Sequence, residues 1–195
     1  KKKASIVVVD KIKKKLDYKK QIKVMDSLKF LTETSSIFRE NIDAKIIAIT
    51  GSCGKTTLKE LLGKTLKKIS KTTISPKSYN NKYGVPLSLF NLSKNDNYGV
   101  LEVGMDKKGE IDYLSKIIKP DISVITNINY AHAKNFKNIK DIALAKSEII
   151  SNTKPNGFVI LNADDNFFRL HQKIATKNNI NTCLLYTSPS PRDDR

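Results

Sequence analysis

The segment Thr50-Gly51-Ser52-Cys53-Gly54-Lys55-Thr56-Thr57 directly follows the apolar run Ile46-Ile47-Ala48-Ile49. A buried-type strand there runs into a glycine turn, and the turn opens a helix at Lys-Thr-Thr. This order constrains the fold more than any other feature of the chain. It is the layout of a phosphate-binding loop. Gly51 and Gly54 permit backbone conformations closed to other residues. Successive N–H groups from Gly51 to Thr57, together with the helix N-terminus, then cradle oxyanions. Lys55 supplies a point charge to terminal phosphates, and Thr56 or Thr57 a hydroxyl to Mg²⁺. The pattern departs from G-x-x-x-x-G-K-[ST], because its first glycine would fall at Ile49. The strand, loop and helix context still points to ATP rather than to an ordinary glycine turn.

Downstream, apolar strands alternate with amphipathic helices. Strands are expected at 45–50, 72–74, 98–103, 122–125 and 158–161. Helices are expected after the loop, with Leu58, Leu61, Leu62, Leu66 and Ile69 on one face, and then at 111–118 and 139–150. Asp164 or Asp165 is expected to cap a last helix, and 75–86 to be a polar loop. Such alternation predicts an α/β fold, a mainly parallel sheet with helices on both faces. Ligands of such sheets sit at the carboxyl ends of the strands. Before residue 44, Ile22 to Asp26 reads as a short strand, and Asp26 or Ser27 as the cap of a helix carrying Leu28, Leu31 and Phe38.

Hydrophobic residues make up 39%, enough for a core, and no apolar run approaches the length of a membrane span. The net charge of +17 comes almost wholly from scattered Lys, because Arg occurs only at 39, 169, 192 and 195. Scattered charge without interleaved aromatics argues against a nucleic-acid surface, yet it attracts phosphorylated ligands. Cys53 and Cys183 lie far apart, and a disulfide at Cys53 would obstruct the loop. Both suit a reducing cytoplasm.

Three residues outside the loop are chemical candidates. Glu102 ends a buried-type strand, where a carboxylate either holds Mg²⁺ beside a nucleotide or is simply a solvated strand-end acid. His132, after the strand at 122–125, is either a ligand or an exposed loop histidine. Lys146 is one lysine among many on a helix, and composition and spacing alone do not select it.

These segments resemble the Mur ligases, which build the peptide of peptidoglycan. The phosphate loop at 50–57 is similar to their short version, which accounts for Ile49. Asn80-Asn81-Lys82-Tyr83-Gly84-Val85-Pro86 resembles an N-N-x-x-G-V-P stretch of the family. Leu101-Glu102-Val103-Gly104-Met105 with Gly109-Glu110-Ile111, Asn127 to His132, and Ala145-Lys146-Ser147-Glu148-Ile149 resemble three further motifs. The pattern is most similar to the branch that joins D-alanyl-D-alanine to UDP-N-acetylmuramoyl-tripeptide.

The resemblance implies ATP held by Gly51 through Thr57, with Lys55 on its terminal phosphates. It implies Mg²⁺ at Thr56 and Glu102, and a second Mg²⁺ helped by His132 and a carbamylated Lys146. Asn81, Asn127 and Asn162 lie in matching stretches with no assigned role. The implied setting is a bacterial cytoplasm, with a monomer acting on small-molecule substrates and neither nucleic acid nor a membrane as partner. Residues 1–43 are expected to end a substrate-binding domain, and 44–183 to be a truncated central ATP-binding domain. A C-terminal domain is expected to be absent, and the chain alone to be inactive as a ligase. The Ser-Pro-rich stretch 184–195 resembles translated adaptor sequence and is expected to be non-native. A sibling Mur enzyme, a folylpolyglutamate synthase-like ligase and a generic phosphate-loop ATPase are the alternatives.

Overall fold

The computed structural model describes residues 4–130 and 135–186. Six parallel strands form the central sheet: β3 (Lys45–Thr50), β4 (Thr72–Ile74), β5 (Tyr98–Glu102), β6 (Ile122–Ile125), β7 (Phe158–Asn162) and β8 (Asn181–Leu185). Their spatial order is β4-β5-β3-β6-β7-β8, and every neighbouring pair is parallel. The strand carrying the phosphate loop, β3, therefore lies inside the sheet between β5 and β6. Strand order reverses there, which is where open α/β sheets leave a crevice for ligands.

Strand periodicity explains how the sheet is covered. Along β3, Ile46 and Ala48 belong to one core, and Ile47 and Ile49 to the other. The larger core takes Leu89 of α3 (Gly84–Leu89) and Ile111, Leu114 and Ile118 of α4 (Glu110–Ile118). It also takes Ile142, Ile149 and Ile150 of α5 (Ile139–Ser151) and Ala175 of α6 (Phe168–Lys177). The smaller core is closed by Leu58, Leu62 and Leu66 of α2 (Lys55–Lys67). Helices thus lie on both faces, as the alternation predicts.

A separate parallel pair, β1 (Val7–Val9) and β2 (Gln21–Lys23), precedes α1 (Ser27–Glu40). Asp26 caps α1 by accepting from the Leu28 and Lys29 amides. At the other end of α1, buried Arg39 donates to the carbonyls of Ile118, Ile42 and Lys119 and pairs with Asp121 at 3.2 Å. That set of bonds ties α1 to the turn between α4 and β6.

Several expectations need correction. Leu61 and Ile69 do not share the buried face of α2; they are 64% and 77% exposed. The covered arc runs through Leu58, Leu62 and Leu66 and on to Lys59 and Gly63, which leaves Leu61 on the far side. Gly63 lies so close to β4 that a Cβ there would stand 2.5 Å from Ile74. The expected polar loop at 75–86 gives way to a helical turn from Gly84. Neither Asp164 nor Asp165 is the N-cap of α6, which begins after Phe167 without a side-chain cap. Asp165 instead accepts from the amides of Phe167 and Ile128. Leu184 and Leu185, grouped by sequence with the tail, pair with Leu161 and Asn162 as the end of β8. Residues 187–195 lie outside the described residues.

Candidate active site

The phosphate loop leaves β3 at Thr50 and enters α2 at Lys55. Gly51 has φ +148° and Gly54 φ +79°, so both glycines occupy the region that favours residues without a side chain. The segment after β6 laces the loop in place. Ser52 N donates to Asn127 O at 2.9 Å, and Cys53 N to Asn127 Oδ1 at 3.1 Å. The Ser52 hydroxyl donates to Asn129 O and accepts from Asn129 N. Thr126 Oγ1 donates to Cys53 O at 2.7 Å. Asn127 thus gains a role the sequence left open: it braces the loop. Cys53 and Cys183 are both exposed free thiols.

Gly51→Ala is expected to break this arrangement. A Cβ at 51 would lie 1.8 Å from Thr126 Oγ1 on a backbone that L-residues resist. Strain and clash together cost about 3 kcal/mol. Urea unfolding is expected to report that loss, with ATP affinity falling alongside it.

Lys55 Nζ donates to Gly51 O at 2.8 Å and Ser52 O at 3.3 Å, so it lies folded over the loop. Thr56 Oγ1 donates to Glu102 Oε2 at 2.7 Å. Both candidate threonines are exposed on α2, and Thr56 is the one whose hydroxyl meets the carboxylate. Glu102 is not a solvated strand-end acid. It is 1% exposed, and its second oxygen accepts from Asn80 Nδ2 at 2.8 Å. By sequence, Asn80 is only one residue of the Asn80–Pro86 motif. Its partner lies 22 residues away at the end of β5, and no local signal links the two. Asn81, next along the chain, accepts from the Tyr83 and Gly84 amides and so starts α3.

Lys146 faces the same cleft. It is 2% exposed on α5, and burial, with the charge of Lys55 second, pushes its pKa down from 10.5 to about 7. Lys55, Asn80, Gly104, Asp106, Tyr113 and Lys146 help to line a cleft of about 670 Å³. Two turns of α5 and α4 are fixed to one another by Glu148. Its carboxylate accepts from the Gly109 and Asp112 amides at the start of α4, so it serves that helix as a cap from outside. His132 lies outside the described residues. The other histidine, His171, is buried with Nε2 3.1 Å from Ala143 O, and burial lowers its pKa. Asn162 accepts from the Asp164 amide and shapes the turn after β7.

A parallel sheet, a glycine loop feeding a helix N-terminus and a buried acid on the adjacent strand define a phosphate-loop nucleotide-binding domain. Residues 49–193 match the Mur ligase middle domain, and the chain belongs to that family. A UDP-N-acetylmuramoyl-tripeptide--D-alanyl-D-alanine ligase from Buchnera aphidicola is 45% identical over 142 residues, which are 73% of this chain and 31% of that protein. Among solved structures, MurF from Acinetobacter baumannii superposes with TM-score 0.81 at 36% identity, covering 92% of this chain and 38% of its own. MurF from Thermotoga maritima, solved in complex with ADP, gives 0.82 at 28% identity, covering 95% and 42%. The chain spans about a third of the length of the curated relatives it matches. No helix among the described residues is long and apolar enough to cross a membrane.

Proposed function

We propose that this chain is the ATP-binding part of a ligase that adds D-alanyl-D-alanine to UDP-N-acetylmuramoyl-tripeptide. Residues 44–183 are read as the central domain and 1–43 as the end of the preceding one. The observation that carries the reading is Glu102. A carboxylate buried at a strand end, hydrogen-bonded to the threonine after the loop lysine, is placed for a cation on a nucleotide's phosphates. The names of the relatives supply the substrates.

The donors fit magnesium. Glu102 and Thr56 offer two hard oxygens, and among the described residues no cluster of three or more His, Cys, Asp or Glu stands ready to hold a metal alone. The phosphates and water would complete its shell. Bound there, magnesium would neutralise charge on the β- and γ-phosphates. Lys146 fits carbamylation, because a buried amine with a pKa near 7 is largely unprotonated just above neutrality, the form that CO₂ requires. So modified, and with His132, it would help to hold a second cation.

In this reading the amides from Gly51 to Thr57 hold the phosphates, and Lys55 leaves the Gly51 and Ser52 carbonyls for the terminal ones. The substrate carboxylate attacks the γ-phosphorus, the bond to ADP breaks, and an acyl phosphate forms. The amine then attacks the acyl carbon, loses a proton and expels phosphate. Positioning and charge neutralisation do the work, with no protein nucleophile.

Calorimetry of ATP with and without Mg²⁺ tests the reading. The chain is expected to bind ATP more tightly with Mg²⁺, and Glu102→Gln to remove about tenfold of that gain while leaving Mg²⁺-free binding unchanged. An equal gain in Glu102→Gln would sink the assignment. In a turnover assay with both substrates, the chain alone is expected to form no amide product.

A further inference from the structure

Lys59 is fully buried on α2, one helical turn beyond Lys55. Taking an ammonium out of water is costly, and such a group persists where its donors are used. Lys59 Nζ donates to Ser75 O at 2.8 Å and to Lys77 O, and lies 3.4 Å from Glu60 Oε1. Both carbonyls belong to the segment between β4 and α3.

That segment leads directly to the buried acid. The Ser75 hydroxyl accepts from the Glu102 amide at 3.3 Å, and Ser75 N donates to Val100 O. Lys77 has φ +45°, a turn that side-chained residues seldom adopt and that an outside bond must hold. Three residues on, the Asn80 side-chain amide donates to Glu102 Oε1, and its backbone carbonyl accepts from Gly104 N. An apolar side chain at 59 would fill the space but could not grip the two carbonyls.

We infer that Lys59 is a positioning residue: by clamping the Ser75 and Lys77 carbonyls to α2, it sets Asn80 and so aims the Glu102 carboxylate at the cation of Mg·ATP. The inference rests on the reading of Glu102 given above. The phosphate-loop helix then controls both sides of the site, with Lys55 at its first turn and Lys59 at its second.

The test measures the gain in ATP affinity on adding Mg²⁺ in the wild-type chain, Lys59→Met, Asn80→Ala and the double variant, with urea unfolding in parallel. Lys59→Met is expected to keep Mg²⁺-free affinity within about twofold and to lose about tenfold of the Mg²⁺ gain. The double variant is expected to be no worse than the poorer single one, because both act on one carboxylate. Lys59→Gln, which keeps one donor, is expected to fall between and serves in place of Lys59→Met if that variant does not fold. The inference is overturned if Lys59 variants change only the urea midpoint, if they weaken ATP equally with and without Mg²⁺, or if their effect multiplies with that of Asn80→Ala. A wild-type chain with no Mg²⁺ gain overturns the Glu102 reading itself, and with it the inference.

Discussion

Lys55→Ala is expected to lower Mg·ATP affinity by about a hundredfold or more, while leaving the fold in place. The lysine starts α2 at the exit of the glycine loop, and its ammonium hovers over the loop on the Gly51 and Ser52 carbonyls. Those contacts are neutral acceptors. In the proposed reading, terminal phosphates would bring full charge to the same spot, beside a helix N-terminus in a partly water-excluded cleft, where one charge-assisted donor is worth about 3 kcal/mol. Calorimetry reads the loss directly. The fold should survive, because Lys55 is only half-buried and belongs to neither hydrophobic core. The urea midpoint is expected to change little. Lys55→Arg is not expected to rescue binding, because a planar fork does not replace a compact ammonium inside a tight loop. Affinity within a fewfold of wild type in Lys55→Ala would end the view that this loop holds a nucleotide.

The loop was legible because its signal is local. An apolar strand, two glycines and Lys-Thr-Thr stand in a row, and the structure builds them as a row. The sheet was legible for a similar reason: period-two runs such as Ile46 to Ile49 divide between two cores whatever the neighbours are. Buried polar partners were not legible in this way. Asn80 and Glu102, or Glu148 and Gly109, meet only after the sheet has ordered its strands. Lys146 and Lys59 look like any of the other lysines until burial separates them. Resemblance to a family pointed to Lys146, and nothing pointed to Lys59. Leu61 falls outside the covered arc of α2, which turns toward Lys59 and Gly63 where β4 approaches, whereas Ile69 is exposed because the helix ends at Lys67 before reaching it. Asp165 is not the cap because α6 begins only after Phe167, and its two carboxylate oxygens hold the Phe167 amide and the Ile128 amide beyond β6. That choice links the far helix to the segment bracing the loop.

In CO₂-free buffer, Lys146→Met is expected to make the chain more stable than wild type at pH 6, with an advantage that shrinks by about 2–3 kcal/mol by pH 9. The sign follows from the direction of the shift. Burial lowers the folded-state pKa of Lys146 from 10.5 to about 7. Between those values the unfolded chain carries a proton that the folded chain has released, so wild-type stability rises with pH across the window. Below about pH 7 both states are protonated, and the folded state bears the whole cost of an unpaired buried ammonium. Methionine fills the space without that cost, and the difference between the two unfolding curves isolates this one group from the other titrations. Lys55 is the second cause of the shift, so in Lys55→Ala the rise in stability should begin at higher pH. Parallel curves for wild type and Lys146→Met from pH 6 to 9 would show that the amine is not desolvated and has no reason to be neutral near pH 7. Adding bicarbonate to the wild type supplies the chemical counterpart. A buried neutral amine is expected to take up CO₂, detectable as a carbamate carbon signal by NMR that is absent from Lys146→Met. In the proposed reading, the same burial that destabilises the chain at low pH prepares Lys146 to exchange a positive charge for a negative one beside Lys55.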